Sequence, residues 1–300
     1  MTFAPQLSGE VRAAVAGGQP VVALETTLVS HGFPGEQGIQ VALASEARVR
    51  EQGAVPATVG VVDGTVRAGL TEAELARFAE AGPQARKVGA RDLAACVVQG
   101  ALGATTVGGT LAVCRRAGIA FMATGGTGGV HRGFATVPDI SADLPQIART
   151  QALVVSSGVK SILDVAATAE LLETLAVPVL GWRTRTLPMF YSADGGPPVS
   201  AVVTDAAEAA RITATHWLLN GTSGVLLTRP PDPSLEIEPI LAEAVDRVRG
   251  QGIRGQAVTP AVLDLVHELS GGRSIEVNRQ LIADNAGLAA EVAVAYAGQD

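Results

Sequence analysis

The stretch Ala152-Leu-Val-Val-Ser-Ser-Gly-Val-Lys-Ser-Ile-Leu-Asp-Val-Ala-Ala-Thr-Ala-Glu-Leu-Leu-Glu-Thr-Leu175 decides the fold class. Residues 152–156 form a short apolar run of the kind buried on both faces of a sheet. A polar break follows at Ser157-Gly158, and the helical pattern of 160–175 comes next. The same unit recurs in both directions along the chain. Short apolar runs at 20–25, 119–123, 177–181, 199–203 and 225–227 read as strands. Helices fit 37–52, 91–101, 109–117, 205–219, 235–250, 260–269 and 274–297. Ser8 caps a short helix reaching Val15, Thr71-Glu-Ala-Glu74 is a capping box opening a helix to about Ala81, and Asp63-Gly64 marks a hairpin within 58–66. Alternating strands and helices predict an α/β sheet covered on both faces, with ligands at the carboxyl ends of its strands. A (β/α)8 barrel would require eight regular units, and this set is irregular. Without repeats, low-complexity tracts or a clear linker, residues 1–300 read as one domain.

Composition narrows the function. The 300 residues are 47% hydrophobic and 17% charged, which excludes intrinsic disorder and allows roughly three quarters of the unfolded surface to be buried. A net charge of -7 argues against a nucleic-acid partner but leaves room for an anionic small ligand in a local pocket. Residues 93–114 carry no charge, yet their glycines, threonines and glutamine fit a buried helix-turn-strand passage better than a membrane span. Cys96 and Cys114 read as buried thiols, and the start of the chain has no basic, apolar leader pattern, so a cytoplasmic setting is expected. Only two of the 22 basic residues are lysine, Lys87 and Lys160. Arginine stays protonated, whereas a lysine can shed its proton and attack a carbonyl, so these two positions stand out.

Five polar clusters stand out, and several of them lie at the ends of strand-like runs. Glu25, which ends 20–25, is placed for a raised pKa and proton transfer near neutrality, or for a structural bond to nearby amides; His31, six residues on, reads as structural. Lys87 sits between Arg86 and Arg91, where crowded cations would lower its pKa or hold an anion. The loop 124–133 contains five glycines, whose backbone would approach a ligand closely and offer amides to a phosphate, or which would form a surface loop. Asp139 and Asp143, with Ser141 between them as a candidate N-cap, suit a hard divalent cation or ordinary acidic capping. Lys160 is read as opening a helix, whose positive end would lower its pKa toward a nucleophile. Together these groups suit Schiff-base chemistry on a phosphorylated sugar, and the chain beyond residue 164 reads as scaffold.

From about Val21 to Ala290 the sequence resembles the pseudouridine-5'-phosphate glycosidase family. The motifs are Ala23-Leu-Glu-Thr-Thr-Leu-Val-Ser-His-Gly-Phe-Pro34, Gly53-Ala-Val-Pro-Ala-Thr58, Lys87-Val-Gly-Ala-Arg-Asp92, Thr105-Thr-Val-Gly-Gly-Thr110, 123–133, Asp139-Ile-Ser-Ala-Asp143 and Ser156-Ser-Gly-Val-Lys-Ser-Ile-Leu-Asp164. The resemblance implies a three-layer α/β/α sandwich with a mixed, largely parallel central sheet, assembled as a homotrimer. It implies reversible cleavage of pseudouridine 5'-phosphate to uracil and ribose 5-phosphate through an imine between a lysine and ribose C1, with a divalent metal, usually Mn²⁺. By motif matching, Lys160 is the nucleophile and Glu25 the proton donor. Lys87, Val107, Ser141, Ala142 and Asp143 match substrate-binding positions, His131 lies beside the sugar phosphate, and Asp139 matches the metal ligand. A class I aldolase-like enzyme on another sugar phosphate and an inactive ligand-binding relative are the alternatives. The family often carries Asn-Pro-Ile-Pro after the strand near 227, where this chain has Arg229-Pro-Pro-Asp-Pro233. Val258-Thr-Pro260, Asn278 and Asn285 look family-like, and neither asparagine has an assigned role.

Overall fold

The computed structural model describes residues 4–33, 35–136, 138–221, 223–253 and 258–299. Its strands are β1 (Gln6–Leu7), β2 (Val21–Glu25), β3 (Val55–Val62), β4 (Thr65–Ala68), β5 (Arg86–Val88), β6 (Gly103–Thr105), β7 (Phe121–Ala123), β8 (Val130–His131), β9 (Leu153–Ser156), β10 (Leu163–Asp164), β11 (Val179–Trp182), β12 (Ala201–Val203) and β13 (Val225–Thr228). The helices are α1 (Gly9–Ala16), α2 (Glu36–Glu51), α3 (Glu72–Ala81), α4 (Leu93–Val98), α5 (Val107–Ala117), α6 (Asp143–Ala148), α7 (Val165–Thr174), α8 (Ala206–Asn220), α9 (Glu238–Gly250), α10 (Val258–Leu269) and α11 (Arg273–Ala297).

One sheet runs in the order β1-β4-β3-β2-β7-β9-β13-β11-β12, with β6 beside β3 and β5 beside β6. The run from β3 to β12 is parallel throughout, and the antiparallel pairs are β3 with β4 and β3 with β6. Side chains alternate across the central strands, and both faces are apolar. Val22, Leu24, Leu153, Val155, Val225 and Leu227 pack with helices α8 and α11. Ala23, Met122, Val154 and Leu226 face the other way, toward Val11 of α1, Leu111 of α5, Ile147 of α6 and Leu172 of α7. Burial on both faces explains why these strands read as unbroken apolar runs. The result is a three-layer α/β/α fold with a mixed, largely parallel sheet. The sheet is open, not closed into a barrel.

The local signals act as the sequence reading expects. Ser8 accepts a bond from Val11 N, and Thr71 with Glu74 closes a capping box. Asp63 and Gly64 both take positive φ, 50° and 73°, in the two-residue turn between β3 and β4. The charge-free passage 93–114 is helix, strand and helix, and among the described residues no helix is long and apolar enough to cross a membrane. Both cysteines are buried and free.

One element differs in a way that matters. The helix expected to open at Lys160 begins at Val165, with Asp164 as N-cap accepting from Ala167 N at 2.9 Å. Residues 157–164 follow an irregular path of bend, bridge and turn that is tied to the glycine loop. Lys160 N donates to Thr127 O at 3.1 Å, and β10 pairs antiparallel with β8. Tertiary pairing thus overrides the helical pattern of 160–164, and the helix-dipole reading of Lys160 falls with it.

Candidate active site

The site lies where β2, β7 and β9 end. Glu25 is the last residue of β2, Thr124 follows β7, and the turn after β9 leads through Gly158 to Lys160. Lys87 enters from β5, and Asp143 from the first turn of α6. Glu25, Lys87 and Lys160 face one another in a cleft with two lobes. The outer lobe is polar, with His131, Asp139, Ser141, Ala142 and Asp143 along its wall. The inner lobe is largely apolar, walled by Phe190, Tyr191, Leu241 of α9, Leu263 and Val266 of α10, and Asn278 of α11.

Glu25 is 4% exposed, and the Thr124 hydroxyl donates to its carboxylate. Burial pushes its pKa up to about 7, against the opposing pull of Lys160, the Thr124 bond and Lys87 and with a small push from Asp143. Lys87 moves the other way. Burial lowers its pKa, Lys160 lowers it further, and Asp143 and Glu25 oppose. The crowding cation is therefore Lys160, not the flanking arginines. The chain's two lysines, 73 positions apart in an arginine-rich sequence, meet in one cleft.

The glycine loop is not an exposed cradle. Residues 124–130 are buried, and their glycines admit other side chains rather than a ligand. A Cβ on Gly128 would lie 2.1 Å from Ser141 Oγ, and one on Gly126 would lie 2.5 Å from the Phe190 ring. Several of its amides are already committed: Gly128 N donates to Asp143 Oδ2 at 3.0 Å and Val130 N to Thr168 Oγ1 at 2.9 Å. Asp143 is likewise committed. Its other oxygen accepts from Gly108 N at 2.8 Å, so the carboxylate clamps the start of α5 to the glycine loop. The N-cap of α6 is Ala142 rather than Ser141, whose hydroxyl accepts from Asp143 N at 3.2 Å one residue earlier.

Asp139 is the more open of the two acids. Its Oδ2 lies 3.9 Å from His131 Nδ1, and its carbonyl accepts from His131 N at 2.9 Å. Burial lowers the His131 pKa, Asp139 opposes, and the two lysines add to the lowering, so the ring is a neutral donor or ligand near neutrality. Among the described residues no cluster of three or more His, Cys, Asp or Glu gathers for a metal. The donor set therefore fits only a cation that keeps most of its waters, as Mg²⁺ and Mn²⁺ do with one carboxylate and a substrate phosphate.

Val107 does not reach the cleft. Its side chain is 1% exposed and belongs to the core, and its neighbour Thr106, the N-cap of α5, lines the outer lobe. His31 Nε2 donates to Ala85 O at 3.1 Å, and the ring lines the inner lobe. The reading of everything beyond 164 as scaffold is overturned, because α9, α10, α11 and the 187–192 segment build the inner lobe. No polar motif marks Phe190, Tyr191 or Leu241 in the sequence, and of the inner-lobe residues beyond 164 only Asn278, a family-like polar residue on a buried helix face, carried a signal. Thr259 and Pro260 of the family-like C-terminal triplet, and Pro34, lie outside the residues whose side chains are described.

The fold and the cleft define an α/β enzyme class in which two amines and a buried carboxyl group meet at the carboxyl ends of the strands. Residues 10–295 match the family model of the indigoidine synthase A-like proteins. A pseudouridine-5'-phosphate glycosidase of Herpetosiphon aurantiacus is 46% identical over 295 residues, covering 96% of this chain and 97% of that one. One of Streptomyces griseus is 47% identical, covering 98% and 93%. The crystal structure of the prealnumycin C-glycosynthase AlnA in complex with ribulose 5-phosphate superposes with a TM-score of 0.90 at 39% identity, covering 99% of this chain and 98% of that one. An indigoidine synthase A-like protein of Thermotoga maritima gives a TM-score of 0.87 at 34% identity, covering 97% and 96%. The chain belongs to the pseudouridine-5'-phosphate glycosidase family of indigoidine synthase A-like proteins.

Proposed function

We propose that this chain is a C-glycosidase that reversibly cleaves pseudouridine 5'-phosphate to uracil and ribose 5-phosphate. The observation that carries the reading is the meeting of Lys160, Lys87 and a near-neutral Glu25 in one cleft of a chain 44–47% identical to glycosidases along nearly its whole length. A C–C glycosidic bond has a poor leaving group, so two carboxylates alone do not suffice. In our reading the Lys160 amine bonds to C1 as the ribose ring opens. Glu25, protonated below about pH 7, donates its proton to C5 of the uracil ring. The nitrogen lone pair then expels uracil, leaving an imine on C1. Water hydrolyses the imine to ribose 5-phosphate and frees the lysine. Lys87, with its lowered pKa, serves as a second relay or as a contact for the anion.

His131, Ser141, Ala142 and Asp143 are the proposed wall for the sugar phosphate. For Asp143, whose oxygens are held by Gly108 N and Gly128 N, we assign that role to the geometry it imposes. The contact at Val107 falls to its backbone, since its side chain is in the core. Asp139 is the residue that would hold a divalent cation, Mn²⁺ in this proposal, with His131 alongside. The bound cation would supply charge neutralisation for the sugar phosphate. A cytoplasmic homotrimer completes the proposal, on the strength of the family resemblance and of two cysteines kept as buried thiols.

The test is imine trapping. The protein is incubated with ribose 5-phosphate and Mn²⁺, reduced with borohydride, and mapped by mass spectrometry. With two lysines and one N-terminal amine, the adduct site is unambiguous. An adduct on Lys160, and pseudouridine 5'-phosphate formed on adding uracil, is expected. An adduct on Lys87 would reassign the nucleophile. Turnover with no adduct would sink the imine mechanism.

A further inference from the structure

Asn285 is 0% exposed, on the stretch of α11 that packs against β7 and β9 among Ile282, Ala286 and Leu288. Burying a carboxamide there costs free energy unless its bonds are made. All the bonds it makes go to two turns. Asn285 Nδ2 donates to Thr124 O at 2.9 Å and lies 3.5 Å from Gly125 O. It also donates to Ser157 Oγ at 3.1 Å, and the Ser157 hydroxyl lies 3.4 Å from Asn285 Oδ1. Thr124 follows β7 and its hydroxyl holds Glu25. Ser157 follows β9 and stands three residues before Lys160.

We infer that Asn285 is a positioning residue of this site, its carboxamide joining the turn that holds Glu25 to the turn that presents Lys160. The inference rests on the glycosidase reading for the roles of those two groups. The register between β7 and β9 ends at Ala123 and Val155. Past that point the turns are joined by backbone bonds from Thr124 N to Val155 O, Ser157 N to Gly125 O, Thr127 N to Gly158 O and Lys160 N to Thr127 O, at 3.0, 2.8, 3.0 and 3.1 Å. Asn285 adds a side-chain tie from a different element, so it locks both turns to the frame of α11. The turn after Ser157 cannot absorb a shift. Gly158 has φ +81°, and a Cβ there would lie 1.8 Å from Pro188 O. A displacement at Ser157 is therefore passed on to Lys160, and one at Thr124 to Glu25. Misplacement of reacting groups by about 1 Å costs on the order of 100-fold in rate.

The test compares steady-state kinetics and melting of the full chain with pseudouridine 5'-phosphate for wild type, Asn285→Leu, Ser157→Ala and Thr124→Val. For Asn285→Leu, kcat is expected to fall about 100-fold with KM within about threefold. Because Asn285 acts through Thr124, adding Thr124→Val to Asn285→Leu should lower kcat by less than the product of the two single losses. A folded Asn285→Leu with wild-type kcat, or losses that multiply independently, would overturn the inference. If Asn285→Leu does not fold, Ser157→Ala decides: a drop of about tenfold in kcat at unchanged KM supports the bridge, and wild-type kcat overturns it. Should the wild type fail to turn over pseudouridine 5'-phosphate, the substrate reading falls, not this one. The rate of imine trapping by ribose 5-phosphate at Lys160 then replaces kcat, slowed in the variants if the bridge positions the amine. A wild-type Lys160 that traps nothing overturns both.

Discussion

Glu25 carries two opposite demands, because the burial that suits it to the proposed role of proton donor also costs the fold. Its pKa stands at about 7, above the ordinary 4.5, mainly because the carboxylate is desolvated. In the proposed role of proton donor it must be protonated, so kcat/KM should fall as pH rises through about 7. The Thr124 hydroxyl stabilises the ionised form. Thr124→Val should therefore raise the pKa further and move that limb to higher pH, which a pH–rate profile of both proteins reads. Stability follows the same sign. The folded state holds a proton that the unfolded state releases above about 4.5, so stability falls as pH rises from there through about 7. Glu25→Gln removes that penalty, on the order of 3 kcal/mol for a shift from 4.5 to about 7. Its melting temperature should exceed wild type at pH 8 and approach it at pH 4, while turnover is lost. Lys160→Arg should cut turnover by on the order of 10⁴-fold or more, since the guanidinium cannot lose its proton. These two residues were legible in the sequence, because an acid at the end of an apolar strand and a rare lysine after another have few structural reasons to be there. The place of Tyr191 in the cleft wall was not, and Asn285 stood out only as family-like, because both places exist only once segments over a hundred residues apart are brought together.

At the level of elements, most boundaries were readable where a side chain caps a backbone group. Ser8, Thr71 and Asp205 each open a helix by accepting an amide bond. The segment 157–164 was misread because its apolar spacing suits a helix, while its true partner is the glycine loop 30 residues upstream. Asp164 was the missed signal, as the real N-cap of α7. Asp164→Ala should cost about 1 kcal/mol in chemical denaturation and leave kcat nearly unchanged, because it frays α7 and leaves the Lys160 turn tied to Thr127. Gly128→Ala is the contrasting case. Its added methyl would enter the space of Ser141 Oγ, at 2.1 Å, and Asp143 Oδ2, at 2.7 Å. Overpacking of this kind costs about 1–3 kcal/mol. The Asp143 clamp must also shift, so denaturation and activity should both suffer. A Gly128→Ala protein with full activity would show that the glycines of this loop serve only chain flexibility.

On the scale of the whole molecule, a net charge of -7 surrounds a cleft that holds both lysines. The overall sign opposes a phosphorylated substrate, and the local sign favours it, so ionic strength separates the two. At 0.01 M the screening length is about 30 Å, comparable with the molecule, and the whole acidic surface repels the ligand. At 0.15 M it is about 8 Å, and only charges near the bound phosphate still act. Raising salt from 0.01 M should first increase kcat/KM as the distant repulsion is screened. Beyond about 0.15 M it should fall, as the local attraction of the cationic cleft for the phosphate weakens. The Lys87→Ala variant should keep the rise and lose most of the fall, because the distant charges are untouched and one of the two local cations is gone. A steady decline from the lowest salt in the wild type would mean that the lysine pair outweighs the acidic surface even at long range.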